Sequence, residues 1–167
     1  MPFTPFHWGP ALLIGLFLFS VFDLPTLLVS SVILDVEPLY VLMFGAPLPL
    51  HGFFHSYLGA SILGVLVAVV LYPLRGLSNR IMAAFRLPQK ASSLRKLLLT
   101  SLFGVYSHVF LDSFLYGEMM PFYPLEANLF FGVVSSPGTY EFCRVSFLLG
   151  FVLYIFRVMR PPKRSTA

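Results

Sequence analysis

The stretch HGFFHSYLGASILGVLVAVVLYP, residues 51–73, decides the class of fold. It contains no Asp, Glu, Lys or Arg. A helix rises about 1.5 Å per residue, so a helix of this length can cross the roughly 30 Å of hydrocarbon in a bilayer. We therefore predict a transmembrane helix over residues 51–73.

The rest of the chain has the same character. Two further stretches, 97–116 and 141–159, are also long enough to cross a bilayer. The 167 residues are 57% hydrophobic and only 11% charged, and their mean hydropathy is +0.85. These values lie outside the range of soluble domains. The sequence predicts an all-α, multi-pass helical bundle that forms one integral membrane domain over residues 1–167.

The N-terminal apolar stretch, residues 8–34, is interrupted by the sequence SVFDLPTLL. Asp23 suits the N-cap of a helix, and Pro25 suits its first turn. The two pieces, roughly 9–21 and 24–34, are each too short to cross alone. We predict a broken, re-entrant helix pair that enters and leaves by one membrane face, with a buried turn covered by the other helices. A single span is the alternative.

Basic residues form two clusters, one in a loop predicted over residues 75–96 and one at the C-terminus. They are Arg75, Arg80, Arg86, Lys90, Arg95 and Lys96, followed by Arg157, Arg160, Lys163 and Arg164. Such clusters mark the cytoplasmic side of a membrane protein. We therefore place both clusters in the cytoplasm and the protein in the cell membrane. The net charge of +4 then reflects topology and contact with anionic headgroups, not binding of nucleic acid.

This topology brings all four histidines and three carboxylates to the outer face. They are His7, Asp35, Glu37, His51, His55, His108 and Asp112. Ionisable residues at such positions are costly unless they are paired or functional. Taken singly, each has a structural explanation: a histidine can anchor a helix end, and Ser107 or Tyr106 can satisfy Asp112. Taken together, they predict a metal site.

The spacing within three motifs supports this prediction. Residues four apart on a helix share a face, so HGFFH and the HVFLD segment of SHVFLD each direct two side chains to one point. In ILDVEP, Pro38 favours an extended Glu37, which would turn Asp35 and Glu37 to the same side. Imidazoles and carboxylates without thiolates suit zinc and, less well, manganese or iron. Because six or seven ligands exceed one tetrahedral ion, we expect two or more metals.

The order of these motifs resembles a known family. A histidine near the N-terminus, then ILDVEP, HGFFHS, SHVFLD and GEMMPFYPL, is similar to the YdjM-like membrane-bound metal-dependent hydrolases. The likeness extends from Pro2 to about Gly132. That family is regarded as distantly similar to zinc-dependent phospholipase C and the S1/P1 nucleases. The resemblance implies that the metal ligands are His7, Asp35, His51, His55, His108 and Asp112.

The expected activity is hydrolysis of a phosphodiester by a water that two metals activate. Glu37 would accept the proton of that water, or Asp35 if it is not fully engaged as a ligand. Arg144, the basic residue near the outer face, would hold a phosphate, although it could instead be an interface anchor. At this level the substrate would be a phospholipid or another lipid-linked phosphodiester.

Two other functional classes stay open on sequence alone. One is a membrane protein that binds haem for electron transfer or that transports metal ions. Haem gives no role to the carboxylates, and a transporter needs ligands at mid-membrane depth. The other is a scaffold with a structural metal, whose coordination sphere would be closed. The identity of the substrate and the oligomeric state cannot be read from the sequence.

Overall fold

The computed structural model describes residues 5–159, and within that range all regular structure is helical. Six α-helices follow one another along the chain. They are α1 (Pro5–Phe17), α2 (Leu24–Ser30), α3 (Val36–Phe44), α4 (Tyr57–Ala84), α5 (Leu94–Ser113) and α6 (Ser136–Met159). Short 3-10 helices, Ile33–Asp35 and Phe53–His55, precede α3 and α4. The predicted all-α bundle is confirmed.

Three helical segments of the described chain are long and apolar enough to cross a membrane. They are Leu24–Phe44, which joins α2 to α3, together with α4 and α6. Helix α5, predicted as a span over 97–116, is not in this set. Its hydropathy is lowered by Arg95 and Lys96 and by buried polar residues such as Thr100 and Ser101. Helix α5 is instead the central helix, packed between α4 and α2.

The N-terminal broken helix pair is present. Asp23 caps α2 as predicted, because its carboxylate accepts a hydrogen bond from the Thr26 amide at 3.1 Å. Asp23 also accepts from the Ser92 hydroxyl at 2.7 Å. Gln89 donates to the carbonyls of Phe19 and Phe22, both at 3.0 Å. The turn between α1 and α2 is thus covered by the segment before α5, which satisfies backbone groups that lipid could not.

The second arm of the pair is longer than expected. The prediction ended it near residue 34, but it continues through Ile33–Asp35 and α3 to Phe44. The expectation that neither arm is long enough to cross a bilayer alone is therefore wrong for this arm. The turn also lies beside the basic segment, since Lys96 Nζ donates to the Ser20 carbonyl at 3.1 Å. We call this end of the bundle the basic end and the opposite end, where the histidines lie, the histidine end. Both arms therefore run between the two ends.

The predicted helix over 51–73 differs at both of its boundaries. It begins at Tyr57, where Ser56 provides the cap by accepting from the Gly59 amide at 3.0 Å. It then continues through Pro73 to Ala84, since proline is tolerated inside transmembrane helices. Part of the basic segment predicted as a loop over 75–96 is therefore helical. The last members of the second basic cluster, Arg160, Lys163 and Arg164, lie outside the described residues.

Close helix contacts hold the bundle together at small residues. A Cβ atom at Gly104 of α5 would lie 1.9 Å from the Ser30 hydroxyl of α2. A Cβ atom at Gly9 of α1 would lie 2.1 Å from the Cys143 carbonyl of α6. Small residues allow such close approach where lipid offers no hydrophobic driving force for helix association. These contacts set the positions of α1, α2 and α5, which carry much of the site.

Candidate metal centre

The centre lies at the histidine end, where the two 3-10 helices and α5 bring titratable side chains together. Four of these residues each offer one ligand atom, and the four atoms lie within 4.8 Å of one another. They are Asp35, His55, His108 and Asp112. His55 and His108 are fully buried and Asp112 is 3% exposed. The structure therefore brings together four of the six predicted metal ligands.

Helix α5 supplies two of these ligands from one face. His108 Nε2 lies 3.2 Å from Asp112 Oδ2, as expected for residues four apart on a helix. The same nitrogen lies 3.8 Å from Asp35 Oδ1. One imidazole nitrogen thus faces two carboxylates in a buried space.

The other nitrogen of His108 decides the tautomer of the ring. Nδ1 lies 2.8 Å from the carbonyl oxygen of Ser31, which can only accept a hydrogen bond. Nδ1 therefore carries the proton, and Nε2 of the neutral ring carries a lone pair. That lone pair faces the oxygens of Asp112 and Asp35, which are also acceptors. The arrangement is repulsive unless a proton or a metal ion lies between them.

His55 is held in the same way by Glu37. The carboxylate of Glu37 lies 2.7 Å from His55 Nδ1 and also accepts from the amides of Gly52 and Phe54 at 3.2 and 3.3 Å. Nε2 of His55 is buried and has no hydrogen-bond partner among residues 5–159. His55 precedes the spanning helix, and burial lowers the pKa of its imidazole despite the opposing bond from Glu37. Both features favour the neutral ring that binds a metal.

The backbone of ILDVEP is helical, so the extended conformation predicted there is wrong. Asp35 lies in a 3-10 helix and Glu37 in the first turn of α3. Pro38 is accommodated because the first turn of a helix leaves its amides unpaired. The two carboxylates consequently have different partners, His108 for Asp35 and His55 for Glu37.

The prediction that HGFFH forms one helical face is also wrong. The segment contains a 3-10 helix, Phe53–His55, and His51 lies before it. The rings of His51 and His55 nevertheless meet edge to face, with centroids 4.9 Å apart. The loop, not an α-helical repeat, brings them together.

His7 and His51 lie at the edges of the four-residue group. His7 Nε2 lies 3.2 Å from Asp112 Oδ1, and its ring stacks on His108 with centroids 3.9 Å apart. His51 Nδ1 lies 2.9 Å from Glu118 Oε1, and its ring stacks on Tyr116 at 3.8 Å. His7 therefore contacts Asp112 and His108 of the predicted set, as the N-terminal helix pair predicted. His51 contacts the set through the ring of His55.

Several side-chain atoms of the centre are buried without a hydrogen-bond partner in the described structure. They are His7 Nδ1, Asp35 Oδ2, His55 Nε2 and His108 Nε2. Buried polar atoms are normally paired, and exceptions call for an explanation such as an ion. Within residues 5–159, the ion-pair partners of Asp35, Glu37, Asp112 and Glu118 are all histidines. The donor set and its uncompensated charge fit a divalent cation.

Two residues predicted to act on the substrate lie in different surroundings. Glu37 has both oxygens engaged and reaches the group through the His55 ring. Arg144 pairs with Glu141 on the exposed side of α6, and its side chain is 67% exposed. The structure thus gives Glu37 a positioning contact and gives Arg144 no contact with the four-residue group.

Sequence reasoning missed three partners of the centre. Glu118 pairs with His51, Tyr116 stacks on the same ring, and the Ser31 carbonyl orients His108. Glu118 lies in the GEMMPFYPL motif just after α5. Its position in the sequence could therefore have placed it at the histidine end. A backbone carbonyl such as that of Ser31 leaves no trace in the side-chain pattern.

A comparison with models of known protein families finds a match. The model of a family described as YdjM inner membrane protein matches residues 6–163. No curated protein and no solved structure matches the chain. The matched range contains every residue of the centre.

Proposed function

The chain belongs to the YdjM inner membrane protein family, and from that premise we propose that it is a membrane-embedded, metal-dependent hydrolase. The proposed ligands are Asp35, His55, His108 and Asp112. The proposed substrate is a phosphodiester of a phospholipid or lipid-linked molecule at the outer face of the membrane that holds the protein. Water would cleave one P–O bond and leave a phosphate monoester and an alcohol.

One observation carries the metal-binding part of this proposal. The Nδ1–H of His108 donates a hydrogen bond to the Ser31 carbonyl, so the Nε2 lone pair faces Asp112 Oδ2 at 3.2 Å and Asp35 Oδ1 at 3.8 Å. A cation between these acceptors converts the repulsion into coordination. A proton on His108 is the competing explanation. It would leave the neighbouring Nε2 of His55 buried without a partner.

The donor types favour zinc. Two imidazole nitrogens and two carboxylate oxygens form a mixed set without thiolate, which zinc accepts readily and manganese or iron can also use. His7 and His51 lie close enough to extend the set. A second metal is part of the proposal and rests on these two additional histidines.

The chain's own residues would orient the ligands of the ion and accept a proton from water. When bound, the metal would supply Lewis-acid chemistry, polarising a phosphoryl oxygen and acidifying a water molecule. Glu37 and Ser31 hold the rings of His55 and His108 in the metal-binding tautomer. Asp35 Oδ2 has no hydrogen-bond partner in the described part of the chain, so it is better placed than Glu37 to accept a proton from water.

A non-catalytic metal site is the second candidate. Four ligand atoms within 4.8 Å of one another can fill a tetrahedral coordination sphere. A filled sphere is typical of structural zinc, which has no open position for water. Both candidates predict at least one bound metal per chain, and they differ in hydrolysis.

The test is metal analysis of purified protein, comparing wild type with His108→Ala. Ser107→Ala is the matched control, because Ser107 lies on the same helix and its hydroxyl bonds only the Gly104 carbonyl among described partners. We expect at least one zinc per chain in wild type and in Ser107→Ala, and loss of that zinc in His108→Ala. Equal metal content in all three proteins, or none in wild type, would refute the metal site.

Hydrolysis is measured on the same samples with bis-p-nitrophenyl phosphate and with phosphatidylglycerol vesicles. The hydrolase proposal expects zinc-dependent release of product by wild type and Ser107→Ala but not by His108→Ala. Full zinc occupancy without any hydrolysis would overturn the hydrolase proposal and favour the structural metal.

A further inference from the structure

A deep groove lies between the two membrane-spanning segments Leu24–Phe44 and α4. It encloses about 730 Å³, which is within the range of ligand cavities. Its walls include Val29, Val36 and Tyr40 on one side and Leu63 and Val70 on the other. Both walls belong to segments that are long and apolar enough to cross a membrane, so the hydrocarbon of the bilayer would surround the groove.

The groove is apolar along its length and has one polar end. Glu37 is the charged residue among its described lining residues. It lies with Gly52, Phe53 and Phe54 at the end nearest the metal centre. The lining residues of α4 extend from Leu63 to Leu71, a rise of about 12 Å, so the groove extends away from this polar end along the helix. An occupant must therefore be long, apolar and polar only at one end.

The polar end of the groove is also part of the metal centre. Glu37 lines the groove and its carboxylate bonds His55 Nδ1 at 2.7 Å. The amides of Gly52 and Phe54, which line the groove, donate to the same carboxylate. A molecule lying in the groove thus ends one side chain away from the ligands of the proposed metal.

A second apolar cavity lacks this connection. It encloses about 460 Å³ and is lined by residues such as Pro25, Met82, Phe85 and Tyr154. None of its described lining residues belongs to the metal centre. The bundle therefore has more than one apolar cavity between its helices. The groove differs from this second cavity because it ends at the metal centre.

We propose that the groove between Leu24–Phe44 and α4 binds one acyl chain of a glycerophospholipid and places its phosphodiester at the metal centre. This inference rests on the proposed hydrolase function and names its substrate class. An acyl chain is the long apolar molecule that a bilayer supplies at this depth, and it needs no hydrogen-bond partners. A polypeptide helix from another protein is the alternative occupant, and the test distinguishes it.

The test is photolabelling in lipid nanodiscs that contain phosphatidylethanolamine and phosphatidylglycerol. The probe is phosphatidylglycerol that carries a diazirine on one acyl chain, and adducts are mapped by mass spectrometry. Val70→Trp fills the groove, and Leu66→Trp is a second blocking variant. Val69→Trp is the matched control, because Val69 is 53% exposed against 50% for Val70 but does not line the groove.

We expect adducts to concentrate on the groove face of α4 in wild type and in Val69→Trp. The enrichment should be lost in both blocking variants. Equal labelling of the two faces of α4, or enrichment that survives both blocking variants, would overturn the proposal. The proposal would also be overturned if the groove were unlabelled and the protein were found cross-linked to a second polypeptide.

Labelling of His108→Ala separates this inference from the proposed function. The groove face should still be labelled there, because His108 does not line the groove. Groove labelling in a wild-type protein that shows no hydrolase activity would refute the hydrolase and leave the lipid site. Hydrolysis of phosphatidylglycerol by a wild type without groove labelling would refute the groove and leave the hydrolase.

Discussion

A neutral imidazole has one donor and one acceptor nitrogen, so the partner of one nitrogen decides what the other can do. In His108 and His55, Nδ1 is taken by the Ser31 carbonyl and the Glu37 carboxylate. Both Nε2 lone pairs consequently face the four-residue group. These contacts behind the two histidines explain which ring nitrogen points to the group, which the spacing of the histidines in the sequence does not.

The contacts of Glu37 give a prediction at this scale. Glu37→Gln should weaken zinc binding by about 10- to 100-fold without abolishing it, the usual cost of losing a carboxylate behind a histidine ligand. The physical reason is that an amide is a weaker acceptor for His55 Nδ1 and donates where Glu37 only accepts. Zinc affinity is measured by titration against a chelator of known affinity.

The matched control is Glu118→Gln, which alters the carboxylate behind His51. Its side chain is 50% exposed against 17% for Glu37, so water can replace it and the loss should be smaller. Unchanged zinc affinity in Glu37→Gln together with lost hydrolysis would restore the original role of Glu37 as the proton acceptor.

At the scale of elements, the junction of α2 with α5 positions the centre. Ser30 packs against Gly104, and the next residue, Ser31, orients His108 one turn further along α5. A change in the distance between these two helices therefore moves the acceptor of the His108 proton. Helix packing and metal geometry are coupled at this contact.

Gly104→Ala should destabilise the protein by about 1–3 kcal/mol, because its methyl group would overlap Ser30. It should also lower zinc affinity by displacing Ser31. The control is Gly76→Ala on exposed α4, where an added Cβ meets nothing within 4 Å. Thermal unfolding in detergent and zinc titration report the two effects.

Unchanged stability in Gly104→Ala would show that α2 and α5 are not in close contact. Loss of stability with full zinc affinity would separate packing from the centre. Gly76→Ala should be neutral or slightly stabilising, since alanine favours helix by up to about 1 kcal/mol over glycine.

At the scale of the whole molecule, the two ends of the bundle differ in chemistry. Lys96 and Gln89 bind the turn after α1 at the basic end, whereas histidines and carboxylates occupy the other end. Orientation follows from the basic residues by the positive-inside rule and stays a prediction. The proposed substrate side depends on this orientation.

Cysteine labelling tests it. In a Cys143→Ala background, Lys90→Cys should react with a membrane-impermeant maleimide only from the cytoplasmic side. Ala127→Cys, in the exposed segment after α5, should react only from the outside. Both positions are exposed, so they serve as controls for each other.

Labelling of both cysteines from one side would contradict the arrangement of α5 between the two ends. Reversed labelling would place the centre in the cytoplasm and remove the outer leaflet as the source of substrate. Either result would leave the geometry of the metal centre unchanged.

Much of the architecture was available in the sequence because it depends on local chemistry. Asp23 and Pro25 mark the start of α2 through hydrogen bonds and ring geometry that involve neighbouring residues only. His108 and Asp112 meet because an α-helix has a fixed repeat. Uncharged length alone predicted that the chain enters a membrane.

The remaining features needed the tertiary structure, because they depend on residues far apart in sequence. Local rules favoured a helical HGFFH and an extended Glu37 in ILDVEP, and both predictions were wrong. Glu37 instead accepts hydrogen bonds from the amides of Gly52 and Phe54 and holds the two segments together. By itself, the sequence determined a membrane bundle with histidines and carboxylates at one end. Only packing decided which nitrogen of each ring faces the centre, because a hydrogen bond from a distant carbonyl or carboxylate sets the tautomer.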